Sequence, residues 1–176
     1  GDYATVKLSN DVTVPGGLVV GGNHFTLDCQ GYAITGSGSG VGILLDNRVG
    51  VTLDDCSITN YQTGIELRSS GLSNVQNSTI TGNDIGVALV QAGGLSPQLN
   101  YVGSNAIRDN ARYGIQLAGS KKNTLSANAL HNNGQHAIWV KDGCDNAISG
   151  STSGNGASLL YRHDTSGITV DGGTYG

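Results

Sequence analysis

VTLDDCSITNYQTGIEL, residues 51–67, is the stretch that decides the fold. It ends on two aliphatic residues straddling one other, and that ending recurs as Gly64-Ile-Glu-Leu, Gly86-Val-Ala-Leu, Gly114-Ile-Gln-Leu and Ala137-Ile-Trp-Val. Gly42-Ile-Leu-Leu precedes these units and Ser158-Leu-Leu-Tyr follows them, at steps of 22, 22, 28, 23 and 21 residues. Leu53, Val75, Val102, Leu125, Ile148 and Val170 keep the same beat, as do Ile34, Ile58, Ile80, Ile107 and Leu130. Three apolar columns on one period mean one unit copied along the chain. Within residues 51–68, Leu53, Ile58, Ile65 and Leu67 alternate with outward Asp54, Thr59, Glu66 and Arg68, separated by turns at residues 55–56 and 60–63. That is the period-2 pattern of short strands, and no helical period accompanies it.

The expectation is an all-β parallel solenoid, a single domain over residues 1–176. It has about seven three-sided coils of ~22 residues, each rising by one inter-strand distance. Residues 1–22 alternate in short pieces and are expected to be lead-in strands before the first coil at Phe25. The glycine-rich residues 36–40 form a corner. The long step of 28 holds QAGGLSPQLNY, residues 91–101, expected to be a loop thrown out of the rod. Asn105 and Asn128 share one corner with Ser78 before and Ser151 after, and Asn83, Asn110 and Asn133 share another. Asparagine suits a left-handed corner residue, and stacked amides can hydrogen-bond up the column.

With 29 Gly, one Phe, one Trp and 12% charged residues, the chain has few large aromatics to pack, so its core is aliphatic. A net charge of −4, with Lys121-Lys122 the longest basic cluster, excludes a nucleic-acid partner that needs a basic stripe. No apolar run reaches the ~20 residues of a membrane span. Of the three cysteines, Cys29 and Cys56 fall in successive coils, where a disulfide is geometrically allowed. Their offsets from Leu27 and Leu53 differ by one residue, and two buried thiols acting as small hydrophobes is the preferred reading.

LDCQGYAITGSGSGVGI (residues 27–43) followed by VTLDDCSITNYQTGIEL resembles right-handed parallel β-helix proteins with PbH1-type repeats, the NosD-like and carbohydrate-binding/sugar-hydrolase domains. VKLSNDVTVPGGLVV, residues 6–20, looks like the start of such a domain. The resemblance spans nearly the whole chain and implies a right-handed helix. The family includes pectate lyases, alginate epimerases, sulfated-glycan lyases, tailspikes and inert surface modules, so activity does not follow from fold. The epimerases' Asp-Pro-His-Asp/Glu motif is absent from this sequence.

Chemistry on such a rod must sit in outward columns. After each Gly-Ile unit the first column reads Leu44, Glu66, Ala88, Gln116, Trp139, Leu160, and the second Asp46, Arg68, Val90, Ala118, Lys141, Arg162. The turn before them stacks Tyr113 beside His136 and Arg112 beside Gln135. Trp139, Gln116, Arg112, Arg68 and His163 are the expected substrate-binding residues. Sugars pack on an indole, and Arg or Lys grips a carboxylate. For catalysis, β-elimination or C5-epimerisation of a uronate is expected, with Lys141 or Arg162 stabilising the enolate and His136 or Tyr113 exchanging the proton. Hydrolysis needs two carboxylates flanking the bond, and Glu66, the only Glu, has Leu44 and Ala88 as column neighbours. No cofactor is required. Asp28, Asp54 and Asp55 form an oxygen cluster for which Ca²⁺ is the matching ion, beside the plainer reading of solvated carboxylates.

The function expected is binding or modification of an acidic extracellular polysaccharide by a secreted, cell-surface or periplasmic protein. Whether it is an enzyme is left open. The alternative is a non-catalytic structural or adhesive module of a larger surface protein. Residues 171–176 end in mid-coil without a cap, so further domains of a parent chain or self-association are expected there.

Overall fold

A computed structural model describes residues 4–92, 99–156, 160–163, 166–167 and 169–170, with Ser151 and the last two strands defined by backbone register. The chain is a right-handed parallel β-helix with three faces. Each coil contributes one strand to each face. The first holds β1 (Ala4–Lys7), β2 (Val12–Thr13) and β3 (Leu18–Val19). The second holds β4 (Phe25–Asp28), β5 (Ala33–Thr35) and β6 (Val41–Asp46). The third holds β7 (Thr52–Asp54), β8 (Ser57–Thr59) and β9 (Thr63–Arg68), and the fourth β10 (Asn74–Gln76), β11 (Thr79–Thr81) and β12 (Ile85–Val90). The fifth holds β13 (Tyr101–Gly103), β14 (Ala106–Arg108) and β15 (Tyr113–Ala118). In the sixth, β16 (Thr124–His131) runs through the corner and serves two faces before β17 (His136–Lys141). β18 (Ala147–Ser153), β19 (Leu160–His163) and β20 (Thr169–Val170) complete the path.

Seven strands, from β3 to β19, line the third face, so about six full turns separate the first from the last. The apolar columns stack in register. Leu53 pairs with Val75, then Val102, Leu125, Ile148 and Val170, while Ile34 pairs with Ile58, Ile80, Ile107 and Leu130. Most of these side chains are wholly shielded from solvent, each worth ~1.5–3 kcal/mol of burial. The repeated glycine has a steric cause. A Cβ on Gly86 would lie 2.6 Å from the Gly114 carbonyl oxygen and 2.6 Å from Ile107 Cγ2.

Inside each corner runs a hydrogen-bonded ladder. Along Asn83, Asn110, Asn133 and Asn155, each Oδ1 accepts the backbone N–H of the residue one coil earlier. Each Nδ2 donates to a carbonyl of that earlier coil, as Asn110 does to Ile80. Ser78, Asn105 and Asn128 form a second ladder. A third, not anticipated, runs through Ser73, Asn100, Asn123 and Asn146.

Several expectations change. The ladder asparagines are not the left-handed residues. Positive φ falls one position earlier, at Asn77, Ser104, Asp109, Lys122, Ala127, Asn132 and Asp145, and this turns the following side chain into the rod. A bulge in β18 sets Gly150 opposite Asn128 and Ser151 opposite Ala129, one residue away from the alignment that counting gives. The lead-in strands are a coil already, since Val6 pairs with Leu27 and Val12 with Ile34. The excursion after β12 is shorter than residues 91–101, because Ala92 and Asn100 are buried in the rod and Tyr101 belongs to β13. Residues 93–98 lie outside the described residues, as do residues 171–176.

Cys29 and Cys56 form a disulfide, with Cα atoms 4.7 Å apart, rather than remaining two thiols. The one-residue mismatch is absorbed at the corner, where Asp55 and Gln30 both take positive φ. Cys144 is free.

Two stability tests follow. Asn110→Ala strands the Asn83 N–H and the Ile80 carbonyl inside the rod and is expected to cost about 3 kcal/mol, at ~1–3 per unsatisfied group. Denaturant unfolding measures it, and a loss under ~1 kcal/mol contradicts the ladder's role. Cys56→Ser opens a loop of 27 residues and is expected to cost about 3 kcal/mol, matched in the parent protein by a reductant-induced fall in Tm.

Candidate functional site

The third face places the aromatic residues together. Tyr113 opens β15 and pairs with His136, which opens β17, while Gln116 pairs with Trp139 and Ala118 with Lys141. Alternation along the strands sends Gln116, Ala118, Trp139 and Lys141 outward, over an inner row of Ile115, Leu117, Ile138 and Val140 that is almost fully buried, whereas Tyr113 and His136 stay half-buried because the alternation breaks at the buried Gly114 and Ala137. The Tyr113 and Trp139 rings lie nearly parallel, centroids 5.6 Å apart and planes 9° apart. His136 stacks on Tyr113 at 5.9 Å and 24°. All three rings are half-buried and make one stacked aromatic platform across two coils. Column spacing alone set Tyr113 beside His136; the Tyr113–Trp139 contact depends on side-chain conformation and emerges only in three dimensions.

The charges are arranged differently from the sequence expectation. Arg112 does not stand ready for a ligand. Its Nε donates to both oxygens of Asp84 at 2.8 and 2.9 Å, and its Nη2 donates to Oδ2. The Asp84 hydrogen bond is the chief reason that the guanidinium pKa is raised above its ordinary value. The Arg112 Cζ also lies 5.4 Å from the Tyr113 ring centroid, a cation–π contact that braces the platform. Arg68 likewise binds Glu66, through Nε at 3.0 Å and Nη2 at 2.7 Å, with Asp46 at 3.9 Å. Glu66 is outward by strand parity yet only 8% exposed. Lys141 has the loosest pairing, with Asp142 at 4.0 Å, and its side chain is 49% exposed.

Asp84 and Asp142 were missed as partners of the site. Asp84 had a readable signal, since it precedes Arg112 by the same 28 residues that separate Gly86 from Gly114.

The last coil corrects the columns by one residue. Trp139 pairs with Tyr161, Val140 with Arg162 and Lys141 with His163. Arg162 therefore stands at the register of inward Val140, and His163 takes the second outward column in its place. The step into this coil is 22 residues rather than 21, because Leu160 and not Leu159 aligns with Ile138.

Asp28, Asp54 and Asp55 lie away from the platform, at the ends of the first-face strands. Asp28 pairs with Asp54 in register. Lys7 reaches Asp28 at 3.1 Å, the Gln30 N–H donates to Asp28 Oδ1, and Asn77 Nδ2 donates to Asp54 Oδ1 at 2.8 Å. Among the described residues, no group of three or more His, Cys, Asp or Glu gathers around one cation position. Among the described residues, no helix is long and apolar enough to cross a membrane.

The family described as a right-handed β-helix region matches residues 16–175. Among solved structures the chain is similar to a mutant of the periplasmic alginate epimerase AlgG, with 18% identity and a TM-score of 0.61, over 85% of this chain and 48% of that one. AlgG itself gives 17% identity and a TM-score of 0.52, over 84% and 49%. The A-module of the Azotobacter vinelandii mannuronan C-5 epimerase AlgE4 gives 16% identity and a TM-score of 0.51, over 88% and 64%. The chain spans about half the length of the AlgG structures, and at these identities the likeness is one of fold. No curated protein sequence matches the chain.

The Arg112–Asp84 contact is testable apart from any ligand. A double-mutant cycle with Asp84→Ala and Arg112→Ala is expected to show a coupling of about 1 kcal/mol that falls as salt is raised. Zero coupling at low salt contradicts the pairing.

Proposed function

Because this chain belongs to the right-handed β-helix family, whose rods display outward side chains in axial columns, we propose that its third face binds an extracellular polysaccharide containing uronate. The observation that carries this reading is the near-parallel Tyr113–Trp139 pair with Lys141 two residues further along the same strand. A pyranose ring presents an apolar face that packs on such a platform, and a uronate carboxylate then lies within reach of the lysine. Gln116, at the register of Trp139, supplies an amide for sugar hydroxyls. Two further facts support the reading. The Cys29–Cys56 disulfide fits an oxidising compartment outside the cytoplasm. The proteins of similar fold are named for epimerisation of alginate or mannuronan, themselves uronate polymers.

The chemistry that suits the arrangement is removal of the C5 proton of a uronate. Tyr113 and His136 are the proton carriers, stacked at 5.9 Å. Lys141 stabilises the charge that develops on the carboxylate as the proton leaves. Arg112 has a positioning role in this reading, holding Tyr113 while bound to Asp84, and Arg68 braces Glu66. Loss of the C4 substituent from the resulting enolate gives an unsaturated product; return of a proton to the opposite face gives the epimer.

Calorimetric titration with uronate-containing oligosaccharides, uniformly charged and alternating with neutral sugars, tests the binding step. Trp139→Ala is expected to weaken binding by about tenfold, equivalent to ~1.4 kcal/mol, with Tm nearly unchanged. Binding that survives the substitution intact sinks the proposal. The ultraviolet absorbance of unsaturated uronates and NMR of C5 inversion then report turnover, which Tyr113→Phe is expected to abolish. Binding by the parent protein without either product identifies a carbohydrate-binding module that does no chemistry.

A further inference from the structure

Among the described residues, every Arg and Lys around the platform already has a resident carboxylate. Asp84 holds Arg112 through two guanidinium nitrogens, Glu66 and Asp46 hold Arg68 from two sides, and Asp142 stands beside Lys141. Among the described residues, four carboxylates thus face three cations on this side of the rod. The pairings differ in strength. The fork between Arg112 and Asp84 is bidentate and directional, so a ligand carboxylate displaces Asp84 only at the cost of two charge-assisted hydrogen bonds. The Lys141–Asp142 pair is long and its side chains are half-exposed, at 49% and 54%, so exchange there costs little. Arg68 and Lys141 share one outward column, but Val90 and Ala118 separate them. Three strand steps put those cations about 14 Å apart, with no charge between them.

We infer that Asp84 and Asp142 make the platform selective for a polysaccharide whose carboxylates are isolated among neutral sugars, and that they repel uniformly charged polyanions. The inference rests on the platform reading above and narrows its ligand. A chain with an anion on every sugar brings charge against Asp84, Glu66 and Asp142 and finds one exchangeable cation, Lys141. A chain with an occasional uronate seats that group on Lys141 and lays neutral sugars over Tyr113, Trp139 and the partly exposed Val90. Discrimination of this kind comes from the repulsive element as much as from the attractive one.

The test compares four oligosaccharide probes of matched length by calorimetry at low and moderate salt: hyaluronan, polymannuronate, heparin and neutral glucomannan. Hyaluronan, with one carboxylate per disaccharide, is expected to bind about tenfold more tightly than polymannuronate or heparin. Its salt dependence should correspond to a single ion pair and vanish in Lys141→Gln. The Asp84→Asn/Asp142→Asn protein is expected to narrow the gap, by gaining affinity for polymannuronate while glucomannan binding stays constant. Asp142→Asn alone, at an exposed left-handed corner that Asn tolerates, is the fallback if the pair of changes impairs folding, and it should narrow the gap in part. Heparin or polymannuronate binding as tightly as hyaluronan, or a gap that Asp142→Asn leaves unchanged, overturns the inference and leaves the platform standing. Failure of all four probes to bind overturns the platform and this inference together.

Discussion

Hydrogen bonding along the rod axis must survive the corners, and the rest of the structure depends on how it does so. Strand pairing satisfies the backbone on each face, but at a corner the chain turns and the ladder would lapse. A buried N–H or carbonyl left there costs ~1–3 kcal/mol. The rod meets this by placing an Asn or Ser side chain inside the corner, where it bonds to the backbone of the coil before. The Asn110 side chain makes two such bonds, accepting from the Asn83 N–H and donating to the Ile80 carbonyl, and two more with the amides of Asn83 and Asn133. A left-handed residue immediately before the Asn, as Asp109 is before Asn110 and Asn132 before Asn133, is what swings the amide inward.

This inner bonding fixes the outer surface. With every coil locked to the next at one inter-strand distance, outward residues a full coil apart become neighbours, and the platform is built from Tyr113, His136 and Trp139 on adjacent strands. The glycines of the Gly-Ile units serve the same end, since a Cβ at Gly86 or Gly114 would press on the next coil's carbonyl. Such a surface combines a rigid floor with side chains free to choose partners. The choice made by Arg112 and Arg68 was internal, and it changes both residues from ligand clamps into braces for their neighbours.

The columns were legible in the sequence because a solenoid converts linear spacing directly into contact. Leu53, Val75 and Val102 could be stacked by counting, as could Tyr113 on His136. Counting fails where the period slips. The bulge in β18 set Gly150 rather than Ser151 opposite Asn128, and one extra residue before β19 put Arg162 opposite inward Val140. The disulfide was obscured by the same kind of slip, which the Asp55 corner absorbs. The first coil went unrecognised because its strands are only two to four residues long and lack the Gly-Ile signature.

By itself, the sequence determined the fold class, the three-sided period, the inward columns and the face on which aromatic and basic residues gather. Each follows from spacing along the chain, since a period of 2 within strands and of about 22 between coils leaves one stacking arrangement. Only the tertiary structure decided which charges neutralise one another, that Cys29 and Cys56 are joined, and that the Tyr113 and Trp139 rings lie parallel. Those outcomes turn on side-chain conformation at distances of 3–6 Å, where a single χ rotation exchanges one partner for another and linear spacing carries no record of the choice.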